Sequence, residues 1–574
     1  MKTFKMKWLA LAVSSVVLAA CLSDDNTPAL SAGDVFVLTS NGQLASFNRT
    51  APSTVRTSVA ISGLMSGDTL VGMDFRPRDG QLYALARTSP GDGGRLYTIN
   101  TTTGVATAGA TLIPAATPTA NGPYSTLDPA ATAFAVDFNP MADALRVISD
   151  TGQNLRIFVA NATGRTAGET FLDGTTNTSA PTADISGAAY TNSFDGTTST
   201  RLLNIDTAND NLTFQDPPNN GTQVTVAPLG VNATGSAAFD IDARNNRGYA
   251  LLNVGGAINF YTIAIPDSTT TLPLNPVVNA ATLVGTLNVP GVVGMALAPV
   301  TAPQVVALDG ATAGSQRLLK FGIRTPNTAT ATNVTGLPAG ERLLSIDFRP
   351  SNSTVYGLSS AGKIFTIDTD TGAATLAVTL NVANNIVNGL ADGKRYQVDF
   401  NPQADALRIV SSVGSGTQGE NYRIVGANLV AGSTNAGVVA TTPPDMPLSA
   451  GFSVVNIAYT NSFANPAPAA TRLFDIDGAN NRLALQSPPN DGTLTAVGTN
   501  LGPAFVSYGG FDISGGDNGM RLLAGRTAAP GIFSLFNLDL TAGTAGAATT
   551  ASGNNEIGSG TSASADLQDL TIKF

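Results

Sequence analysis

The sequence predicts an all-β chain organised as two tandem β-propellers, each of five blades and each closed by its own C-terminal strand. Three observations predict this. Long phrases recur in the same order in the two halves of the 574 residues. Within each half, short runs of Val, Ile, Leu, Tyr and Phe alternate with Asn-Gly, Asp-Gly and Thr-Gly punctuation, and no stretch has the period of a long amphipathic helix. The strands fall into fours, with one missing at the start of each half and one left over at its end.

The repeat is legible from one end to the other. "VDFNPMADALRVISD" (Val136–Asp150) returns as "VDFNPQADALRIVSS" (Val398–Ser412), and "GMDFRPRDGQLYAL" (from Gly72) as "SIDFRPSNSTVYGL" (from Ser345). "AAYTNSF" (from Ala188) answers to "IAYTNSF" (from Ile457), and "RLLNIDTANDNLTFQDPPNNGT" (from Arg201) to "RLFDIDGANNRLALQSPPNDGT" (from Arg472). Preserved order over this span indicates duplication of a whole domain. The seam falls near "APVTAPQ", giving domains at 34–300 and 301–574.

In the first half, residues 70–112, 133–172, 185–229 and 235–287 each supply about four strands, joined as hairpins such as "RLYTINTTTGVATAGATL". The segment 34–61 supplies three: "DVFVLTS", "GQLASF" and "VRTSVAI". The strand left over, "GMALAP" (Gly294–Pro299), is similar to the opening strand "GMDFRP". The second half ends likewise on "DLTIKF" (Asp569–Phe574). A C-terminal strand that completes an N-terminal blade is how propellers close and hide their sheet edges.

The phrases "DFRP…LYAL", "VDFNP.ADALR" and "AYTNS" resemble those of a bacterial domain-of-unknown-function family, number 4394, here in two tandem copies covering nearly all of both halves. The resemblance implies an exported β-rich domain and brings no assigned reaction.

The N-terminus is read as a processing signal. "MKTFKMK" is basic, "WLALAVSSVVLAA" is an apolar run too short to span a bilayer comfortably, and Leu18-Ala19-Ala20-Cys21 is similar to a bacterial lipobox. Residues 1–20 are therefore expected to be a lipoprotein signal peptide, Cys21 the lipidated residue and residues 21–33 a polar tether. Leu22 after the cysteine resembles the outer-membrane sorting pattern, so the expectation is a lipid-anchored protein of the cell envelope, periplasmic or surface-exposed.

Composition excludes much chemistry. Cys21 is the only cysteine, so no disulfide supports the fold. The absence of histidine removes a His general base, Ser-His-Asp or Cys-His nucleophiles, and His-ligated metals. A net charge of −10 argues against nucleic acid. What remains is carboxylate, Tyr, Lys, Arg or hard-cation chemistry.

Aligning the inner strands places Asp74, Asp137, Tyr190, Asp240 and Ala296 at equivalent positions in the first half, and Asp347, Asp399, Tyr459, Asp512 and Thr571 in the second. Three clustered carboxylates per ring fit Ca²⁺ or the acid/base and nucleophile pair of a glycosidase. They fit equally a structural role, each accepting backbone N–H bonds that lock one blade to the next. Repetition favours the structural role, since blades share structural needs whereas an active site is asymmetric. Arg76, Arg349, Arg146 and Arg408 are expected to pair with these carboxylates. Asp143 and Asp405 are turn or pairing residues, "TNS" a Ser/Thr or Asx turn, and the Pro-Pro loops from Gln215 and Gln486 hairpin connectors. The expected function is non-enzymatic binding or scaffolding toward a protein or glycan; the alternative is a glycan-active enzyme using the inner-strand Asp residues.

Overall fold

The computed structural model describes residues 31–574 except 160–163, 177–181, 198, 236, 266–278, 301, 381–389, 391–393, 414–417, 441–443, 465–466, 469, 516–519, 529, 549 and 551. The expected signal peptide, Cys21 and most of the tether lie outside these residues. The described sheets all belong to one unit, Ala32–Phe574.

Strands dominate, and the helical turns are short 3₁₀ segments such as Pro218–Asn220. The described strands form ten antiparallel sheets, most of them four-stranded meanders in sequence order. In the first half the opening strands of the sheets are Thr69–Phe75, Phe134–Asn139, Ile185–Tyr190 and Ala238–Ile241. The fifth sheet begins on Val292–Leu297, which pairs antiparallel with Val35–Thr39 (Phe36 opposite Ala296). The last strand of the half thus completes the sheet that its first residues leave short. The second half repeats this: Leu567–Lys573 pairs with Gln304–Asp309, Val306 opposite Thr571.

Each opening strand lies against the opening strand of the next sheet, and the circuit closes in both halves. Thr69–Phe75, Phe134–Asn139, Ile185–Tyr190, Ala238–Ile241 and Val292–Leu297 touch in that order, and the last touches the first. Leu343–Arg349, Tyr396–Asn401, Val454–Tyr459, Ser507–Ile513 and Leu567–Lys573 do the same. Apolar side chains fill the spaces between neighbouring sheets; Tyr83, Leu85, Phe138, Leu145 and Ile157 form one such cluster.

Two strand counts depart from expectation. The sheet of residues 134–172 gains a short fifth strand, Ile113–Pro114, parallel to Glu169–Leu172. Its counterpart in the second half has three strands among the described residues, followed by a 3₁₀ turn at Gly426–Leu429.

Candidate functional site

On three inner strands of the first half and four of the second, one side chain accepts the backbone N–H of the next strand in the circuit. In the first half, the N–H of Phe138 donates to Asp74 Oδ2 (2.8 Å), that of Tyr190 to Asp137 Oδ1 (2.9 Å) and that of Leu297 to Asp240 Oδ2 (2.7 Å). In the second half, Phe400 donates to Asp347 Oδ2 (2.7 Å), Tyr459 to Asp399 Oδ1 (2.8 Å) and Ile572 to Asp512 Oδ2 (2.6 Å). Thr571 takes the fifth position there: its Oγ1 accepts from Phe348 N–H at 2.9 Å and lies 2.9 Å from Asp347 Oδ1 and 3.1 Å from Asp512 Oδ2.

These bonds correct the expected register. The donating N–H always belongs to the large residue that follows the aligned position: Phe138, Tyr190 and Leu297 in the first half, Phe348, Phe400, Tyr459 and Ile572 in the second. Ala189 and Ala458, not the tyrosines, therefore stand in line with the carboxylates. Tyr190 and Tyr459 sit one residue later, their hydroxyls accepting from Nε of Arg146 (3.3 Å) and Arg408 (3.2 Å). No phenol joins the carboxylate layer.

The expected arginine partners are also corrected. Arg76 pairs with Asp143 (2.6 Å) and Asp79 (2.7 Å), Arg349 with Asp405 (2.5 Å), Arg146 with Asp173 (2.8 Å) and Arg408 with Asp445 (2.5 Å). Asp143 and Asp405 are the pairing residues they were expected to be, and both hold turns at positive φ. The Pro-Pro loops reach the neighbouring sheet: Asn219 Oδ1 accepts from Arg146 (2.8 Å), and Asn490 Oδ1 from Arg408 (2.7 Å). In the two "TNS" segments, the Thr191 and Thr460 hydroxyls accept the N–H groups of Arg201 and Arg472, closing a turn.

The carboxylates converge. Asp74, Asp137 and Asp240 each offer an oxygen, all within 4.8 Å of one another, and so do Asp347, Asp399 and Asp512. None is more than 6% exposed. Burial raises the pKa of every one of them, since a charged carboxylate in a dry interior loses its hydration. Neighbouring charges add to this at Asp74 (from Asp240), Asp137 (from Asp74 and Asp240), Asp347 (from Asp512) and Asp399 (from Asp347 and Asp512). Asp240 is pushed up to about 7 and Asp512 to about 6, backbone N–H bonds holding both lower than burial alone would.

Chemically, each triad can hold protons, or three oxygens can face a hard cation such as Ca²⁺. Glycoside cleavage needs a sugar between two carboxyl groups. Asp74 and Asp240 line a cavity of about 30 Å³, room for one or two waters but not a sugar ring.

The layer two residues before the carboxylates separates the halves, a difference sequence reasoning missed. In the first half it is Gly72, Ala135, Gly187, Ala238 and Gly294, all bordering one narrow cavity. In the second it is Ser345, Gln397, Asn456, Gly510 and Asp569. Ser345 Oγ donates to Asp569 and accepts from Val398 N–H (2.8 Å), while Asn456 Nδ2 donates to Gln397 Oε1 (2.7 Å). Arg395 covers this network through the carbonyls of Tyr508 and Gln568, both at 2.6 Å. The signal lay in the aligned sequence: "GMDF" against "SIDF", "AVDF" against "QVDF", "GMAL" against "DLTI".

A family model described as "Domain of unknown function (DUF4394)" matches residues 43–288 and again 317–559. No curated protein matches the chain. Among solved structures, the extracellular domain of the hybrid two-component system BT4673 from B. thetaiotaomicron aligns at 11% identity over 89% of this chain and 70% of that one, with a TM-score of 0.24. A chain of a nidogen/laminin complex aligns at 10% identity over 48% of this chain and 99% of that one, with a TM-score of 0.26. At these scores neither carries an argument about the present chain.

Proposed function

The chain belongs to the DUF4394 family, in two tandem copies, and from that premise we propose that it is a non-enzymatic binding or scaffolding lipoprotein of the cell envelope, built from two five-bladed β-propellers at 34–300 and 301–574. One observation carries this reading: all six inner-strand carboxylates are buried and accept the backbone of the neighbouring strand, so the repeated acids hold the fold together. The closed circuits of opening strands support the propeller reading, because radial closure leaves few free sheet edges. The anchor rests on Cys21 within Leu18-Ala19-Ala20-Cys21. Among the described residues no helix is long and apolar enough to cross a membrane.

The reading makes two demands. Cys21→Ser should lose incorporation of labelled fatty acid and leave the membrane fraction; a variant that remains lipidated and membrane-bound removes the anchor. The purified chain should release no reducing ends from oligosaccharides beyond the buffer rate. Turnover that disappears in Asp74→Asn or Asp240→Asn would replace the binding role by the glycosidase alternative.

A further inference from the structure

The two halves meet on the face where their inner strands end. The Phe194 and Phe574 rings pack edge to face at 5.3 Å. Phe194 and Ala243 are buried in one apolar cluster with Val305, Leu319 and Phe321 of the second half. Beside this contact runs a cleft of about 510 Å³ whose walls come from both halves. That is the size of a small-molecule site, and junctions between domains are where such sites concentrate.

The polar groups of the cleft differ from those around them. Elsewhere on this face several charged and amide groups are tied in pairs: Arg76 with Asp143, Arg349 with Asp405, Asn192 with Asn246. In the cleft, Arg244 is exposed and its guanidinium makes no ion pair or hydrogen bond among the described residues. The hydroxyls of Ser353 and Ser462 likewise make no hydrogen bond among the described residues. Phe463, half-buried, supplies an aromatic side chain to the lining. Arg49 is fixed between Asp34 (2.6 Å) and Asp242. The four charged side chains of the lining, Asp34, Asp242, Arg49 and Arg244, cancel. A site with free donors and acceptors, an apolar wall and balanced side-chain charges suits a ligand rich in hydroxyls and without charge of its own. The net charge of −10 further opposes a polyanion.

We propose that the cleft between the two halves is a binding site for a neutral oligosaccharide, hydrogen-bonded by Arg244, Asn245, Ser353 and Ser462 and packed on Phe463. This rests on the binding role proposed above and gives it a place and a ligand class.

The test is calorimetric titration of the detergent-solubilised full chain with cellohexaose, xylohexaose, maltohexaose, mannohexaose and chitohexaose, with hexagalacturonate as the acidic comparison. The expected result is binding of at least one neutral hexasaccharide, weakened about tenfold or more by Arg244→Ala and by Ser462→Ala, with an unchanged melting temperature. The proposal is overturned if no neutral sugar binds, if only hexagalacturonate binds, or if both variants bind like the parent. In that last case a binding role survives and the cleft does not. Conversely, binding that depends on Arg244 but ends in cleavage of the sugar keeps the cleft and removes the non-enzymatic reading.

Discussion

At the centre of the first half, Gly72 lies so close to the next strand that a Cβ built on it would stand 2.3 Å from Val136 Cγ2. At the same place in the second half stands Ser345, bonded to Asp569 and to the N–H of Val398. The first circuit closes by bringing backbones together over small residues; the second closes over a buried polar network. Both nevertheless carry the same carboxylate layer, with the same N–H donors at distances that agree within a few tenths of an ångström. The carboxylate layer is thus independent of what lies beneath it. The second half differs in adding Asp569, raised to about 7 by burial, and Asp475, also raised by burial.

The largest expected effect is on pH dependence. These carboxylates have folded pKa values above the unfolded one, so their stabilising contribution is fully present below about 3.8 and is lost as pH rises through the folded values, about 6 for Asp512 and about 7 for Asp240 and Asp569. For Asp240 alone the shift from 3.8 to about 7 corresponds to on the order of 4 kcal/mol. The melting temperature should therefore be higher at pH 5 than at pH 8. Hydrogen exchange should show the second half losing more protection at pH 8, because it carries the additional acids, Asp569 on an inner strand and Asp475 on the strand Leu473–Asp477 beside one. Higher stability at pH 8 would show that the triads hold a cation instead of protons. Calcium would then raise the melting temperature and EDTA lower it, whereas proton-holding triads leave both additions without effect.

A smaller effect tests the layer the halves share. Asp137→Ala and Asp399→Ala each leave the N–H of a tyrosine, Tyr190 or Tyr459, without its acceptor in a buried place, at a cost of about 1–3 kcal/mol. Equal losses in urea melts are expected, since the bonds are 2.9 and 2.8 Å. A much smaller loss at Asp399 would mean that the polar network below it takes over. Asp137→Asn, which keeps the acceptor and removes a charge, should be neutral at pH 5 and stabilising at pH 8.

The carboxylate layer was legible because "DF" and "DI" recur at the start of successive sheets, and a position that repeats marks a shared structural duty. Tyr190 and Tyr459 were misplaced by one residue because the third strand carries "AY" where the first, second and fourth carry "DF" or "DI", and a polar side chain attracted the alignment more than an apolar follower did. The arginine partners could not be read: Arg76 and Asp143 are far apart in sequence, and only the packing of adjacent sheets brings them to 2.6 Å. The cleft is further still from the sequence, for it exists only once Phe194 and Phe574 are in contact.

The smallest effect concerns one exchange inside an otherwise matching strand. In the first half Asn204 Nδ2 donates to Gln215 Oε1 (2.9 Å) and Gln223 Oε1 (3.0 Å). In the second half the corresponding residues are Asp475, Gln486 and Leu494. Both oxygens of Asp475 and Oε1 of Gln486 are buried without partners. Arg408 offsets only part of the burial that raises the Asp475 pKa. A neutral, protonated Asp475 would supply through its O–H the donor that Asn204 supplies through its amide. Asp475→Asn should therefore stabilise the protein at pH 8 by about 1 kcal/mol, the net worth of a buried hydrogen bond, and leave it unchanged at pH 4.5. The reverse exchange, Asn204→Asp, should introduce the same pH dependence into the first half. Thermal melts of the two variants at both pH values decide the matter: if Asp475→Asn destabilises at pH 8, Asp475 is ionised against Arg408, and the two halves differ there in charge as well as in hydrogen bonding.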